Sequence, residues 1–476
     1  MSTKDARHQR RWAILAILAI AQLMVVLDAT VVNVALPSAQ KALGFSDHDR
    51  QWVLTAYLLP FGSLLLLGGR LSDLFGRKRA LIVGLSGFAA ASVLGGAAQS
   101  FAMLTTSRAL QGVFAALLAP ASLSLLTTTF SDPRERGKAF GIFGAIGAAG
   151  ASIGLLLGGA LTQHIDWRAT MFVNLVFAVV AVCGAVVLLG HERPRRRPRL
   201  DIPGALTASG GLFALVLGFS NAETTGWDSP LTIGALGAAV SLLALFVRVE
   251  ARVEHPLLPL RVLADRRRGA SYLAIALAMV SMFGVFLSLT YFFQHHLGYT
   301  PTRTGLAFLP LTLAVLITAT TAQTVLLPRF GPRALVAAGM GLGAVAMLAL
   351  TRLDVHMGYA AEIGLPLAVL GMGIGLVIAT AINTGTLGVE PRDAGVASAM
   401  IHTSQQIGCA LGTALMSTVA AVATSGSLDP DAAVSGYAAA FWCAAAIFTL
   451  GAIIAMVAFP SAARQNRQAA GVAFAH

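Results

Sequence analysis

The stretch Trp12-Ala13-Ile14-Leu15-Ala16-Ile17-Leu18-Ala19-Ile20-Ala21-Gln22-Leu23-Met24-Val25-Val26-Leu27-Asp28, which continues apolar to Leu36, decides the fold class. It is long enough to cross a hydrocarbon core, which takes about 20 apolar residues. Asp28 is the only acidic residue of the chain that falls inside such a span; every other Asp or Glu falls in a loop or at a helix end. On insertion scales a carboxylate at the centre of a membrane helix costs roughly 3 kcal/mol, so a residue of this kind marks a function by default. One group suited to carrying a proton or a cation across the bilayer points to a transporter.

Composition agrees. Hydrophobic residues make up 56% of 476 and charged ones 11%, against roughly 25% charged in soluble domains. Apolar runs of spanning length recur fourteen times, from a first centred near Ile20 to a last near Ala445. The runs are continuous rather than alternating, which excludes a closed β-barrel.

The net charge of +12 follows from topology. With the N-terminus in the cytoplasm, the inner side holds Lys4, Arg7, Arg10, Arg11, Arg70, Arg77, Lys78, Arg79, Arg134, Arg136 and Lys138, then Arg193 to Arg199, Arg248 to Arg268, Arg329, Arg333, Arg392, Arg464 and Arg467. The outer side keeps Lys41, Arg50, Arg168, Arg303 and Arg352. This asymmetry obeys the positive-inside rule, places both termini inside and leaves nucleic acid without a role. The basic start followed by an apolar run lacks a small-residue cleavage signature, so it reads as an uncleaved first span. Cys183, Cys409 and Cys443 fall in three different spans and make neither a disulfide frame nor a metal site.

Two arginine-rich segments divide the chain. Arg193-Pro194-Arg195-Arg196-Arg197-Pro198-Arg199 is a stiff basic linker, and Arg248 to Arg268 is a second. Both suit contact with anionic lipid headgroups. The division gives residues 1–200, a two-span hairpin with its linker at 201–262, and residues 263–476. The outer two are related by an internal repeat. Asp132-Pro133-Arg134-Glu135-Arg136-Gly137-Lys138-Ala139 recurs as Glu390-Pro391-Arg392-Asp393-Ala394-Gly395-Val396-Ala397, and the same offset carries Gly150 onto Gly408 and Gly154 onto Gly412. Phe75-Gly76-Arg77 recurs loosely as Phe330-Gly331-Pro332. Parallel repeats of this kind place substrate at their interface near the bilayer midplane.

Several motifs then join. The first span reads Leu27-Asp28-Ala29-Thr30-Val31-Val32-Asn33-Val34-Ala35-Leu36-Pro37 and the second opens Gln51-Trp52-Val53-Leu54-Thr55-Ala56-Tyr57. A loop signature follows, Gly69-Arg70-Leu71-Ser72-Asp73-Leu74-Phe75-Gly76-Arg77-Lys78, then Ser107-Arg108-Ala109-Leu110-Gln111-Gly112 in the fourth span. Over essentially its whole length the chain resembles the fourteen-span drug/proton antiporter branch of the major facilitator superfamily. The resemblance implies an all-α membrane protein of fourteen helices, two six-helix bundles plus a two-helix insertion. It further implies export of a small amphipathic compound, a drug or antibiotic, by alternating access across a bacterial cytoplasmic membrane. Such a protein is not an enzyme, needs no cofactor beyond the proton gradient, and works as a monomer with protons, membrane lipids and a small-molecule substrate as its partners. A metabolite symporter or uniporter of the same fold is the alternative. Four Lys against 29 Arg, with abundant Ala and Gly, fits a GC-rich bacterial genome.

The residues supply the physics. Asp28 and Arg108 lie at similar depth in the outer half of the bilayer, with Arg108 about four residues into its span, so they are expected to meet and couple proton binding to conformation. Gly69 and Gly76 are expected to permit a tight turn. Asp73, Arg70, Arg77 and Lys78 are expected to form a gating cluster across the inner ends of neighbouring helices. Gly147, Gly150, Gly154 and Gly158 share one face of span 5 and allow a neighbouring backbone close. Gly150 to Gly159 resembles the family's antiporter motif, with Leu155 where that motif has proline; Trp167 to Asn174 echoes the loop into span 6 imperfectly. Tyr57, Gln111, Gln323, Asn383, His402 and Gln405 are the candidates to line the substrate cavity, and His402 titrates in the neutral range when solvated. His295 and His296 lack nearby carboxylates or thiols for a metal site, and no Gly-x-x-x-x-Gly-Lys loop supports ATP-driven pumping.

Overall fold

The computed structural model describes residues 3–130, 132–190, 201–254, 256–353, 359–424 and 430–459, and among these every regular element is helical. The linker Arg193–Arg199, together with Arg464 and Arg467, lies outside the described residues, as do the side chains of Leu155, His295 and His296. Six long helices come first: α1 (Thr3–Leu43), α2 (Asp47–Phe75), α3 (Arg77–Gly96), α4 (Phe101–Thr129), α5 (Pro133–His164) and α6 (Ala169–Leu188). The hairpin α7 (Ile202–Thr225) and α8 (Pro230–Glu250) follows, then the short α9 (Leu260–Ala264). The remainder is α10 (Arg266–Tyr291), α11 (Pro301–Ala307), α12 (Leu309–Thr321), α13 (Leu327–Leu350), α14 (Leu365–Thr386), α15 (Ala394–Thr424) and α16 (Pro430–Ala458).

Among the described residues, twelve helical stretches are long and apolar enough to cross a membrane. One of them, 302–350, carries left-handed backbone at Gly331 (φ 73°), where α13 breaks and the chain can begin a second pass. Helix α5, 32 residues long, packs along α1 and α12. With α5 counted and 302–350 divided, the helices accommodate the fourteen passes expected.

Local chemistry sets the helix ends. Ser46 and Asp49 form a reciprocal capping box at the start of α2, and Ser100 accepts from Met103 N–H at the start of α4. Gly76, at φ 97°, supplies the left-handed residue between α2 and α3. Gly69 has a different task from the one expected. It lies within α2, where a Cβ would run into the Gly395 carbonyl and the Ala399 side chain of α15, so it serves close helix approach. Arg108 lies two turns into α4, which begins at Phe101.

Small residues set the packing within each half. Gly150 meets Val26, Gly154 meets Thr30 and Leu27, and Gly158 meets Val31, so α5 lies against α1. Their repeats act alike: Gly408 meets Ala276 and Met279, and Gly412 meets Val280, so α15 lies against α10. Without a hydrophobic force between helices in lipid, such backbone approach supplies the dispersion contact that holds them. The hairpin α7–α8 is added from outside. Gly62 of α2 meets Val216, and Trp227 Nε1 donates to Thr418 Oγ1 of α15 at 2.6 Å.

Candidate functional site

Asp28 is fully buried, near the middle of α1. Arg108 of α4 donates to its Oδ2 at 2.6 Å. Oδ1 accepts from Gln111 Nε2 at 3.0 Å and from Asn174 Nδ2 of α6 at 2.7 Å. Each of these three partners turns an N–H toward the carboxylate, which acts as acceptor. The donors are themselves held: Gln111 Oε1 accepts from Arg108 at 2.6 Å, and Ser92 Oγ of α3 takes bonds from Gln111 (2.7 Å) and Asn174 (3.3 Å). The Arg108 guanidinium lies 4.5 Å over the Tyr57 ring, and its Nε is 3.4 Å from the Val53 carbonyl. Helices α4 and α6 thus deliver donors to one buried anion, and α2 and α3 hold those donors in a charge-assisted network.

The two residues expected to meet do meet. Gln111 takes another place than the one expected: fully buried and bonded at both ends of its amide, it belongs to the Asp28 network instead of facing a cavity. The reason is its i, i+3 relation to Arg108, which puts both on one helix face. Tyr57 stacks under Arg108, and its hydroxyl is buried with no hydrogen-bond partner among the described residues. Asn174 and Ser92 were missed. Asn174 left a signal, a lone amide in the apolar span 6; Ser92, one small hydroxyl among many, left none.

A second set of polar contacts joins the two halves at the end of the molecule where Arg77, Arg136, Arg261 and Arg268 gather, here the basic face. Asp73 accepts from the backbone N–H of Gly395 (2.9 Å to Oδ2) and of Val396 (3.3 Å), the first turn of α15, while Arg77 pairs with it at 3.2 Å. A carboxylate here satisfies donors that the helix leaves open and complements its dipole. Of the other basic residues grouped with it, Lys78 turns away and donates to the Val186 carbonyl of α6 at 2.9 Å. Gln323, in a π-helical turn (Ala322–Leu326), accepts from Asn383 at 2.8 Å, and Asn383 in turn accepts from Arg136 of α5 at 3.0 Å. Gln323 and Asn383 are therefore drawn into the half-to-half contact. His402 is buried in α15 with Nδ1 3.1 Å from Gln405 Oε1.

A multi-pass helical chain with two repeats and an ionisable network buried between its helices defines a membrane transporter. The Major Facilitator Superfamily model matches residues 18–413, and the chain belongs to that family. It is 47% identical over 464 residues, 95% of its length and 92% of the relative's, to the puromycin resistance protein pur8 of Streptomyces alboniger. It is 38% identical to the cephamycin export protein CmcT of Amycolatopsis lactamdurans, over 94% of this chain and 92% of that one. Among solved structures, the human organic anion transporter MFSD10 (TETRAN) superposes with a TM-score of 0.66, covering 94% of this chain and 99% of that chain at 16% identity, a likeness of fold.

Proposed function

We propose that this transporter exports a small amphipathic antibiotic or drug from the cytoplasm, driven by protons flowing inward. The observation that carries the reading is the fully buried Asp28 held at 2.6 Å by Arg108, in a chain whose relatives are named for resistance to puromycin and export of cephamycin. The basic face is cytoplasmic, with both termini on that side of a bacterial inner membrane, and the protein acts as a monomer without a bound cofactor.

In the arrangement described, the two halves are tied at the basic face by Asp73 on α15 and by Arg136 on α14. Asp28 is then the anion of a closed network. A proton reaching Asp28 from the outer side removes its charge and frees Arg108, Gln111 and Asn174 to take other partners. Breaking a buried pair by neutralising one member costs about 3–5 kcal/mol, enough to move a two-state equilibrium through most of its range. The bundles of residues 1–200 and 263–476 rock to open the cytoplasmic side, with the 201–262 hairpin carried alongside. Substrate enters there and Asp28 releases its proton inward. Tyr57, His402 and Gln405 remain the candidates for substrate contact. A site with one membrane acid suits neutral or monocationic compounds.

Everted vesicles test this. An imposed pH gradient should collapse when puromycin, a cephamycin or another lipophilic compound of a panel is added, and Asp28→Asn should abolish the response. Compound uptake that continues with no proton flux would make the protein a uniporter and overturn the coupling.

A further inference from the structure

Arg136 is a buried arginine, 8% exposed, that meets no carboxylate among the described residues. Each nitrogen of its guanidinium nevertheless donates one hydrogen bond. Nη2 donates to Thr386 Oγ1 at 2.8 Å, Nε to Asn383 Oδ1 at 3.0 Å and Nη1 to the Thr127 carbonyl at 3.3 Å, with the Phe140 ring 4.7 Å below. Thr386 is the last residue of α14, and Asn383 belongs to its last turn. The cation therefore sits at a helix C-terminus, where open carbonyls concentrate partial negative charge.

The placement mirrors Asp73, whose carboxylate sits at the N-terminus of α15. Helices α14 and α15 are consecutive, so the first half grips both ends of one connection: an anion on the N-terminal side of α15 and a cation on the C-terminal side of α14. Internal symmetry did not supply this. The offset that carries Phe75-Gly76 onto Phe330-Gly331 puts Pro328 at the place of Asp73, and the offset that carries Gly137 onto Gly395 puts Ala394 at the place of Arg136. The second half returns neither charge. Burying a guanidinium without a counter-charge is unfavourable unless hydrogen bonds replace its water, and the bonds to Asn383 and Thr386 last only while α5 and α14 remain together.

We infer that Arg136 is a positioning residue of the transport cycle, the second, cationic latch that holds the basic face closed alongside Asp73. The inference rests on the alternating-access reading above. When the halves part, Arg136 loses Asn383 and Thr386 but gains water, so the latch releases without stranding a buried charge.

Spin-label distances between Lys138→Cys and Leu387→Cys, both exposed positions, decide the matter. The measurement uses the full chain in lipid nanodiscs with Cys183, Cys409 and Cys443 replaced by alanine. Arg136→Gln should raise the ratio of separated to closed distances roughly tenfold, as loss of charge-assisted bonds predicts. Arg136→Lys, which keeps the charge but not the fork, should fall between it and the parent. Asp73→Asn should open the same distance. If Arg136→Gln leaves the parent ratio while Asp73→Asn opens it, Arg136 only packs, and the inference is overturned with alternating access intact. If no variant and no transported compound yields a second distance, both readings fall. Should Arg136→Gln not fold, Thr386→Val removes one acceptor and should still raise the ratio about threefold; an unchanged ratio there overturns the latch.

Discussion

Arg108 Nη1 stands 2.6 Å from Asp28 Oδ2, although the two residues are 80 positions apart in sequence and lie on different helices. Both are essentially inaccessible to solvent. At this burial the pair is a commitment to one geometry. Coulomb attraction offsets the cost of dehydrating two ions only while the remaining donors and acceptors are also bonded. Gln111, Asn174 and Ser92 do that here.

Removing one charge should therefore be worse than removing both. Asp28→Asn leaves the Arg108 guanidinium buried without its anion and should lower stability by about 3–5 kcal/mol. Asp28→Asn combined with Arg108→Gln should recover much of that loss. Thermal unfolding in detergent would read the difference, while compound-driven proton flux should be lost in both. A double variant less stable than either single one would contradict this account.

Asn174 makes a separate prediction, because it reaches Asp28 from α6. Asn174→Leu removes a charge-assisted bond to Oδ1 and leaves Gln111 as the sole donor to that atom among the described residues. A loss of about 1.5–3 kcal/mol is expected. Proton-coupled export should fall as well, whereas Asn174→Gln, which keeps the donor, should retain part of it. Equal activity of Asn174→Leu and the parent in vesicles would remove α6 from the network.

The Asp73 contact is expected to respond to charge more than to shape. Asp73→Asn keeps one oxygen for the N–H groups of Gly395 and Val396 but loses the Arg77 pair and the match to the α15 dipole. Asp73→Ala loses all three. Alkylation of a cysteine at Val396, buried at this contact while it is closed, should report the order parent, Asn, Ala in increasing opening of the basic side.

Close packing between α1 and α5 can be probed at Gly154, where an added Cβ would meet Thr30 Oγ1 and approach the Leu27 carbonyl at 3.1 Å. Gly154→Val should cost about 1–3 kcal/mol by overpacking. Gly144, whose Cβ would meet nothing within 4 Å, is the matched control. Gly144→Ala should leave folded yield and thermal midpoint close to those of the parent.

Much of this site was legible in the chain. An acid inside an apolar run identifies itself, and matched depth was enough to pair Asp28 with Arg108. The i, i+3 spacing puts Gln111 on the face of Arg108, but the partner of that face is not written in the spacing, so Gln111 reads as a cavity residue while in the structure it donates to Asp28. Gln323 and Asn383 bond each other and, through Asn383, Arg136, partners the sequence does not show because polar residues within spans look alike until the helix they face is known. Gly69 was read as a turn glycine from its neighbourhood with Gly76; only Gly76 has the positive φ that a turn requires. Arg136 was counted as one more inner-side charge, because nothing in its own segment marks it as buried.

The sequence by itself determined what is local or periodic: the apolar runs, the internal repeat, the distribution of arginine and the one acid that lipid would not tolerate without purpose. Those features follow from transfer energies and spacing along one chain. The tertiary structure alone decided which polar groups meet. In a membrane, helices attract one another through small residues and a few hydrogen bonds, so their rotation and pairing depend on contacts between segments far apart in sequence. That is why Asn174 arrives at Asp28, and why Asp73 and Arg136 grip opposite ends of one helix connection.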